Sequence, residues 1–441
     1  MPSKEILLFN PGTFHEKNYR NFWIPYSILS LGSELRKNDF NVTLVDNNLE
    51  SLDANQFTPT LNKLDNPSLI GISSMIGHQI QEGLIFAHYA KELFPNAKIV
   101  WGGAAPTILP QEFAKSPLVD IIVKGQGEKT VVNIAENLEN NINLSGIHGI
   151  IYKDDGIPVK TSEKDIVPKD TMSPYSYDLI PTAKYIREDE HISDKVLNHI
   201  SSIGCPFGCG FCSEVALYHR KWSPQSINQT IDEVSLLVEK YGANGIKFYD
   251  ANFFVNKARV LSFAQNVIDQ GWEIKWAASA HPKSLLLYKQ EELNLLKKSG
   301  LSRILIGAES GNEDELKFIH KGVTTEEVLK VAELLKNLEI HGSFTIIVGY
   351  PGFPEINIKK TLSFGEKIAK TGSIHEVKAH IYTPFPGTPL YSRAIQYGFV
   401  PPKTLEDWGN YDYYAVQTPW LRNELNDLIT KYNQEFCPYV L

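Results

Sequence analysis

Apolar and polar residues alternate along the first 160 residues in blocks that predict strands and helices in turn. Short, almost continuously apolar runs predict five strands, at residues 5–9, 41–45, 68–73, 98–101 and 119–123. Helical spacing of apolar residues predicts helices at 26–37, 79–94, 110–114 and 129–137. Strands that are apolar on both faces, with helices between them, are typical of a doubly wound, Rossmann-like α/β domain with a parallel sheet.

A second block of alternating strands and helices follows a hairpin and a linker. Apolar runs on either side of Asp154-Asp155-Gly156 predict the hairpin, and a proline-rich stretch without periodicity predicts the linker. Beyond it, six predicted strands lie at 198–203, 245–249, 273–278, 303–307, 342–348 and 377–382. Predicted helices lie at 225–241, 256–270, 291–299, 325–338 and 356–371. This alternation predicts a partial (β/α)6 barrel, in which functional residues follow the strands.

The 441 residues are enough for two domains with cores of their own. We expect a Rossmann-like domain at 1–145, a hairpin and linker at 146–194, the partial barrel at 195–390 and a C-terminal extension at 391–441. Aromatic residues gather in the extension. Core packing and substrate contact are both open explanations for them.

Every predicted strand of the first domain is followed by polar residues or glycines. These are Asn10-Pro11-Gly12, Asp46-Asn47-Asn48, Ser73 to His78, Gly102-Gly103 and Gly125-Gln126-Gly127-Glu128. The carboxyl ends of parallel strands lie at one edge of a sheet, where ligands bind. Paired glycines let a backbone approach a large flat ligand closely. One such glycine alone would indicate only a turn, but the five blocks together predict a ligand-binding edge.

Three of the four cysteines lie between residues 205 and 212, directly after the first predicted strand of the barrel. Cys205, Cys209 and Cys212 have the spacing Cys-x3-Cys-x2-Cys, with the aromatic Phe211 before the last. A [4Fe–4S] cluster normally takes four cysteine ligands, so three cysteines leave one iron open to another molecule. By spacing alone, a zinc site with His219 as the fourth ligand remains an alternative.

This motif resembles the signature of the radical S-adenosylmethionine (SAM) superfamily. The resemblance implies that SAM binds the open iron through its amino and carboxylate groups and is cleaved to methionine and a 5′-deoxyadenosyl radical. The blocks after the second and fourth barrel strands also resemble this family. The resemblance implies that Asp250, Asn252, Glu309 and Ser310 contact SAM. It also implies that Phe211, in the cysteine motif, contacts the adenine. A helix N-cap is the alternative role for Asp250 and Asn252.

The first domain is similar to the cobalamin-binding domain that precedes the radical SAM domain in one large subfamily. The resemblance implies that cobalamin is held by the strand-end residues Asn10, Pro11, Gly12, Ser73, Met75, Ile76, His78, Gly102, Gly103, Gly125, Gly127 and Glu128. Many cobalamin proteins place a histidine beneath the cobalt with an Asp-x-His-x-x-Gly element, which the residues from Asn10 to His15 do not supply. The loop from Met75 to His78 is then expected beneath the cobalt, with His78 either an axial ligand or a surface residue at a helix start. The alternative, a nicotinamide-binding site, would need Gly-x-Gly-x-x-Gly after the first strand, and residues Asn10 to Phe14 do not supply this motif.

Composition indicates which cellular compartment the protein occupies and which classes of partner it binds. The net charge of −8 argues against a general nucleic-acid binder or a protein that binds anionic membranes. Four cysteines, three of them clustered, do not make a disulfide framework, and Cys437 is taken as structural. The N-terminus lacks the long apolar segment of a signal peptide, and no run approaches a membrane span. We therefore expect a cytoplasmic protein with no integral membrane segment and no nucleic-acid partner.

Both resemblances together predict a cobalamin-dependent radical SAM enzyme. The first hypothesis is a methyltransferase that uses the 5′-deoxyadenosyl radical and methylcobalamin to methylate an unactivated carbon, or a phosphorus, of a small molecule or natural-product intermediate. An alternative uses the same cofactors for ring formation or oxidation without methyl transfer, as in tetrapyrrole pathways. A third hypothesis is a redox sensor that carries a cluster and is not an enzyme. The expected partners are a small-molecule substrate and an external electron donor such as flavodoxin or ferredoxin.

Overall fold

A computed structural model describes residues 4–13, 23–52, 54–372, 374–411, 418–422 and 424–437 of the chain. The chain divides into two units, one of residues 1–185 and 402–413 and the other of residues 186–401 and 414–441. Each unit contains one seven-stranded sheet. No helix among the described residues combines the length and the apolar character that crossing a bilayer requires.

The first unit is built on five parallel strands extended by a hairpin. Its strands are β1 (Glu5–Asn10), β2 (Asn41–Asp46), β3 (Leu69–Ser73), β4 (Lys98–Gly102), β5 (Ile121–Val123), β6 (Ile150–Asp154) and β7 (Ile157–Lys160). Their order in the sheet is β2-β1-β3-β4-β5-β6-β7, and β6 is antiparallel to both of its neighbours. The register places Asn10 beside Asp46 and Ser73 beside Gly102, so these strands end at one edge.

Alternate residues of β1 enter two separate cores, because successive side chains of a strand point to opposite faces. Leu7 and Phe9 lie in one core, and Ile6 and Leu8 lie in the other. Helices run over Tyr26–Lys37, Asn47–Glu50, Ala54–Leu61, His78–Leu93, Ala104–Ile108, Pro110–Lys115, Glu128–Glu139 and Leu405–Gly409. Trp408, from the last of these helices, is buried in the same core as Phe9.

The structure confirms the doubly wound parallel sheet and the helix over Tyr26–Lys37. The hairpin of β6 and β7, expected between the two domains in the segment 146–194, is part of the first sheet because β6 pairs with β5. Residues 402–413, expected in the C-terminal extension, belong to the first unit. The short helices Asn47–Glu50, Ala54–Leu61 and Ala104–Ile108 are not predicted from the sequence, since they are too short to show a clear apolar period.

The large sheet of the second unit contains six parallel strands and one antiparallel edge strand, and two further strands form a separate small sheet. In chain order the strands are β8 (Arg187–Asp189), β9 (Ser193–His199), β10 (Ser202–Gly204), β11 (Trp222–Pro224), β12 (Gly245–Phe248), β13 (Lys275–Ala280), β14 (Leu301–Glu309), β15 (His341–Val348) and β16 (His375–Ile381). The large sheet has the order β16-β15-β14-β13-β12-β9-β8, and β10 pairs only with β11. The six parallel strands confirm the predicted partial barrel.

Helices connect these strands and close one edge. They run over Ser213–Tyr218, Ile227–Ser235 with a π-helical continuation Leu236–Lys240, Lys257–Asp269, Pro282–Leu285, Gln290–Lys298, Glu313–Phe318, Thr325–Asn337, Ile356–Thr371, Tyr391–Gln396 and Glu424–Phe436. The last helix covers the edge strand β16, where the Asn433 side chain both donates to and accepts from the backbone of Ala379. Such cover protects an edge from pairing with another strand.

The expected strand over 198–203 is wrong, because the structure has two strands there. β9 ends at His199, and β10 begins at Ser202 in the separate two-stranded sheet. The chain leaves the large sheet between them because the Ser201 amide and the hydroxyls of Ser201 and Ser202 donate to the buried Asp250 carboxylate. The cysteines therefore follow β10 rather than a strand of the large sheet.

Buried charges join the amino ends of β14, β15 and β16. Glu376 accepts a hydrogen bond of 2.5 Å from the Arg303 guanidinium and another from Ser343, and the His341 Nε2 lies 3.6 Å away. Burial alone would raise the pKa of the Glu376 carboxyl, but His341 and Arg303 hold it well below its usual range. The Cys437 thiol is also buried, 3.7 Å from this carboxylate, which agrees with a structural role.

Glu376→Gln is expected to lower the free energy of unfolding by about 3 kcal/mol, because it leaves the buried Arg303 guanidinium facing a neutral amide. The pKa of Glu376 is lower in the folded state than in the unfolded chain. This stabilisation is therefore present at neutral pH and is lost as the pH falls below about 4.5 toward the folded-state value. Urea unfolding of the apoprotein, followed by tryptophan fluorescence at several pH values, measures both effects.

The control is Glu326→Gln, which removes an exposed carboxylate 2.8 Å from Lys330. We expect it to change stability far less, since exposed ion pairs contribute little. Equal effects of the two substitutions at neutral pH would contradict the role given to the buried network.

Candidate functional site

At the edge where the first sheet ends, the side chains after β1 and β2 are bonded to one another. Asn10 Nδ2 donates to Asp46 Oδ1 at 2.7 Å, and the Tyr185 hydroxyl donates to Asp46 Oδ2 at 2.9 Å. Burial raises the pKa of Asp46. The Asn10 amide therefore links the ends of β1 and β2, and its contact with cobalamin stays a prediction.

The backbone after β1 is held by the helix His78–Leu93. The Pro11 carbonyl accepts from Gln79 Nε2 at 2.8 Å, and the Gly12 amide donates to the Glu82 carboxylate. Described residues on this loop end at Thr13, which donates to Asn48 Oδ1 at 2.9 Å. Phe14 and His15 lie outside the described residues.

The loop after β3 presents apolar side chains at the same edge. Met75 is 51% exposed, which is unusual for so apolar a residue, while Ile76 and His78 are half-exposed. The hydroxyl of Ser74 is buried and has no hydrogen-bond partner among the described residues. His78 Nδ1 lies 3.4 Å from Gln81 Oε1, so the structure brings His78 to the edge without fixing it as a ligand.

Gly103, directly after β4, is required by a close backbone approach, whereas a Cβ at Gly102 would meet no atom nearer than 3.9 Å. Gly103 has φ +95°, and a Cβ added there would lie 2.8 Å from the Ser74 carbonyl oxygen and 3.1 Å from Ser73 Oγ. No other residue fits this position without displacing the loop after β3. Ser73, Gly102 and Gly103 are thus brought together as predicted, although their contact with a ligand stays a prediction.

The loop after β5 is closed by a lysine that has no role in the sequence analysis. Lys164 Nζ donates to the Gln126 carbonyl and, at 2.8 Å, to Thr130 Oγ1. Burial lowers the pKa of Lys164 to about 8. The amide of Gly125 donates to Thr107 Oγ1, and Gly127 directly precedes the helix Glu128–Glu139. Glu128 therefore begins a helix at the same edge as the glycine pair.

In the second unit, the cysteine loop, defined here as residues 205–212, lies between β10 and the helix Ser213–Tyr218. Cys205, Cys209 and Cys212 are all free thiols. Burial raises the pKa of all three, that of Cys212 to about 12, and their mutual repulsion raises the values of Cys209 and Cys212 further. Without a metal these thiols are therefore protonated, and a metal that binds them replaces the protons.

Backbone hydrogen bonds fix the far side of this loop. The Gly210 amide donates to the Ile319 carbonyl at 2.8 Å, and the Gly210 carbonyl accepts from Leu390 at 3.0 Å. Gly204, just before the loop, has φ +73°, and a Cβ there would lie 2.1 Å from the Lys221 carbonyl oxygen. The loop is therefore held at both ends by backbone that cannot shift freely.

An aromatic stack holds the middle of the loop. The Phe207 ring lies on the His281 ring, with centroids 3.7 Å apart and planes within 7°. His281 Nε2 in turn donates to the Lys321 carbonyl at 2.9 Å. Burial, and then the charge of Lys321, lower the pKa of His281 to about 3, so the ring is neutral.

Asp250 and Asn252 lie beside the cysteine loop, but their contacts differ from the expected ones. Asp250 is 1% exposed, and its carboxylate is occupied by the donors of Ser201 and Ser202. Asn252 Oδ1 accepts a hydrogen bond from the Phe254 amide. Asn252 therefore has the N-cap role that the sequence analysis gives as the alternative to SAM binding. Its Nδ2 has no hydrogen-bond partner among the described residues, yet it lies close enough to lower the pKa of the Cys205 thiol against the larger effect of burial.

Glu309 lies in a strained backbone conformation and pairs with a buried lysine. Its φ is +63°, and its carboxylate lies 2.9 Å from Lys321 Nζ, with both side chains 7% exposed. Burial opposes the charge of Lys321, but Glu309 and the nearby thiols of Cys209 and Cys212 raise its pKa. The lysine is therefore a fixed positive charge beside two of the three thiols.

Ser310 and Phe211 complete the predicted set. The Ser310 hydroxyl is buried and donates to Glu315 at 2.5 Å, so it braces the turn after β14. The Phe211 ring is half-exposed, with its centroid 6.3 Å from that of Tyr350. His219, the zinc alternative, is exposed and ends the helix Ser213–Tyr218 with φ +51°.

Two family models match the chain in the two units. The model described as the radical SAM superfamily matches residues 200–365, which include the cysteine loop, and the model described as a B12 binding domain matches residues 17–135. Together they span well over half of the chain.

The chain belongs to the cobalamin-dependent radical SAM family. The radical SAM domain brings a [4Fe–4S] cluster and SAM as cofactors, and the B12-binding domain brings cobalamin. The residues present fit these groups. Three free thiols on one loop leave one iron of a cluster open, and the glycine cradle at Gly103 with the unpartnered Ser74 hydroxyl suits a large polar ligand.

Relatives of this radical SAM chain include methyltransferases and a cyclase. An uncharacterized methyltransferase of Pyrococcus horikoshii is 28% identical over 84% of this chain and 78% of that protein. Cytidylyl-2-hydroxyethylphosphonate methyltransferase of Streptomyces wedmorensis is 24% identical over 84% of this chain and 75% of that protein. The anaerobic magnesium-protoporphyrin IX monomethyl ester cyclase of Synechocystis sp. is 27% identical over 75% of this chain and 65% of that protein.

Solved structures share the fold. The radical SAM methyltransferase TsrM from Kitasatospora setae, with cobalamin and a [4Fe–4S] cluster bound, matches with a TM-score of 0.71 at 17% identity over 89% of this chain and 75% of that one. The cobalamin-dependent radical SAM enzyme OxsB, with aqua-cobalamin and SAM bound, matches with a TM-score of 0.73 at 21% identity over 89% of this chain and 60% of that one.

Each cluster ligand should be needed for iron binding. Anaerobic reconstitution of the wild type is expected to give about four irons per chain, and Cys209→Ala to lose the cluster, because two thiolates cannot hold it. Cys437→Ala is the matched control, since this thiol is buried beside Glu376. Full iron content in Cys209→Ala, or its loss in Cys437→Ala, would contradict the assignment.

Gly103→Ala should weaken cobalamin retention, because the added Cβ displaces the loop after β3. Gly156→Ala is the matched control, since Gly156 also has positive φ, +81°, but no atom within 4 Å of the added Cβ. Cobalamin absorbance after desalting measures the difference at equal protein concentration. Equal retention in the two variants would show that the cradle does not serve cobalamin.

Proposed function

We propose that this protein is a methyltransferase that transfers a methyl group to an unactivated carbon of a small molecule. The observation that carries the proposal is the combination, in one chain, of a three-cysteine loop that leaves an iron open and a B12-binding domain. Relatives named as methyltransferases over 84% of the chain support it. When bound, the cluster and SAM supply a radical that removes a hydrogen atom from the substrate, and cobalamin supplies the methyl group.

The residues of this chain position those groups. Asp250 fixes the entry of the cysteine loop through Ser201 and Ser202, and His281 fixes its middle by stacking on Phe207. Lys321 places a positive charge next to Cys209, which offsets the negative charge that a thiolate-bound cluster adds to a buried site. Fixed cofactor positions matter because a radical reaction depends on the reacting atoms being held close together.

A cyclase is the second candidate function, supported by the match to the cyclase of Synechocystis sp.. That relative matches 75% of this chain but a smaller part of its own length, 65%. Ring formation would use the same radical without transferring a methyl group. The two candidates therefore differ in the fate of the SAM methyl group rather than in the architecture of the chain.

The proposal extends to partners and compartment. An external one-electron donor of the flavodoxin or ferredoxin class would reduce the cluster, since SAM cleavage consumes an electron. Free thiols at the cluster loop and at Cys437 favour a reducing compartment, so we place the enzyme in the cytoplasm. The substrate is a small molecule, in keeping with the solved structure of TsrM, which was determined with tryptophan bound.

Methyl transfer can be tested without knowing the substrate. Protein reconstituted anaerobically with iron, sulfide and hydroxocobalamin, then reduced, is incubated with SAM. A methyltransferase must pass the methyl group of SAM to its cobalamin, so we expect S-adenosylhomocysteine to form in an amount close to the bound cobalamin. Mass spectrometry measures it, and a sample reconstituted without cobalamin is the control.

Once a substrate is found, a product heavier by one CH2 unit would support the proposal. Cleavage of SAM to 5′-deoxyadenosine without any S-adenosylhomocysteine would instead favour the cyclase. Iron without cobalt after reconstitution would remove the methyltransferase proposal altogether.

A further inference from the structure

One oxygen of the Glu214 carboxylate, Oε2, is buried next to the cysteine loop and has no hydrogen-bond partner among the described residues. Glu214 stands two residues after Cys212, in the first turn of the helix Ser213–Tyr218. Its charge acts on the thiols of both Cys205 and Cys212, so the carboxylate lies close to these thiols.

An unpartnered buried carboxylate is costly, and nothing nearby in the described chain removes the cost. An acid in the first turn of a helix is ordinarily favourable because it faces the positive end of the helix dipole. That effect explains why an exposed acid is favourable at this position. It does not compensate for burying one oxygen of Glu214 away from water without a hydrogen-bond donor.

The other acids around the cysteine loop already have donors. Asp250 is occupied by Ser201 and Ser202, and Glu309 by Lys321 at 2.9 Å. Asp250 and Glu309 are the two acids that the family resemblance assigns to SAM, but the oxygens of Asp250 accept from Ser201 and Ser202, and Glu309 pairs with Lys321. Among these three acids, Glu214 alone offers a buried oxygen to a donor from outside the chain.

SAM brings such a donor to this place. Its amino group binds the open iron of the cluster, and an amine bound to a metal keeps N–H bonds that need an acceptor. We propose that Glu214 accepts a hydrogen bond from the amino group of SAM and is a binding residue for the amino-acid end of this cofactor. This inference rests on the proposed function, since it requires SAM at the cluster.

Asn252 supplies a second polar group beside Cys205. Its Oδ1 is held by the Phe254 amide, so the direction of the side-chain amide is fixed. Its Nδ2 is buried without a hydrogen-bond partner among the described residues. An unpartnered acceptor and an unpartnered donor beside the same thiol match the amino and carboxylate groups that SAM presents together.

The test compares Glu214→Gln with the wild type by SAM binding to the reconstituted proteins at equal iron content. The amide keeps the shape of the side chain and removes its charge. Equilibrium dialysis is run with SAM and with the SAM analogue in which hydrogen replaces the amino group. We expect Glu214→Gln to weaken SAM binding by about ten-fold or more and to leave the affinity for the analogue equal to that of the wild type.

Glu239→Gln is the matched control, because Glu239 is an exposed acid whose carboxylate accepts from Trp272 at 3.3 Å. It should bind SAM as the wild type does. The electron paramagnetic resonance spectrum of the reduced cluster gives a second readout. Addition of SAM should change it in the wild type and in Glu239→Gln at a concentration that leaves Glu214→Gln unchanged.

Three outcomes would overturn the inference. Equal SAM affinity of Glu214→Gln and wild type would remove Glu214 from the site. An equal loss of affinity for SAM and for the analogue would place the carboxylate against another part of the molecule. Loss of iron from Glu214→Gln would make Glu214 a structural residue of the loop. Failure of the wild type itself to bind SAM would instead overturn the proposed function.

Discussion

The cysteine loop can present three thiols at fixed positions only because the ends of neighbouring strands hold its backbone. Eight residues with two internal glycines have no stable conformation of their own. Asp250, after β12, holds the entry to the loop, His281, after β13, holds its middle, and Ile319, beyond β14, accepts from Gly210. The sheet brings these groups together because its six parallel strands end at the same edge.

Both ends of this sheet contain buried charges, and each end serves a different purpose. At the amino ends, Glu376, Arg303 and Ser343 form a network in which each side chain is hydrogen-bonded to the other two. At the carboxyl ends, Lys321 pairs with Glu309 but also acts on the thiols. A closed network stabilises the fold, whereas charges and unpartnered groups beside the thiols are available to a cofactor.

Tight backbone contacts rather than charges shape the edge of the first sheet. The chain after β1 is bonded to the helix His78–Leu93, and the loops after β3 and β4 touch at Gly103. Such an edge leaves little side-chain bulk above it, while the exposed Met75 offers an apolar contact. A large cofactor can lie against such a surface with most of its contacts made to the backbone.

The sequence by itself indicated the parallel strands of both units, the three-cysteine motif and the family, because each depends on periodicity or on spacing along the chain. The parallel strands of both units and the loop with Cys205, Cys209 and Cys212 follow from such local patterns. Only the tertiary structure decided which polar groups are occupied. Asp250 is an acid at a strand end in the sequence, but folding brings it two serines that lie 48 and 49 residues away in the chain.

The same reason separates Glu214 from Glu309. Nothing in the sequence shows that Glu309 meets Lys321 or that one oxygen of Glu214 meets no donor. The hairpin β6–β7 and the helix Leu405–Gly409 likewise join the first unit through contacts between distant residues. Local pattern fixes secondary structure and ligand spacing, whereas burial and hydrogen-bond partners depend on residues far apart in the chain, which only the folded molecule brings together.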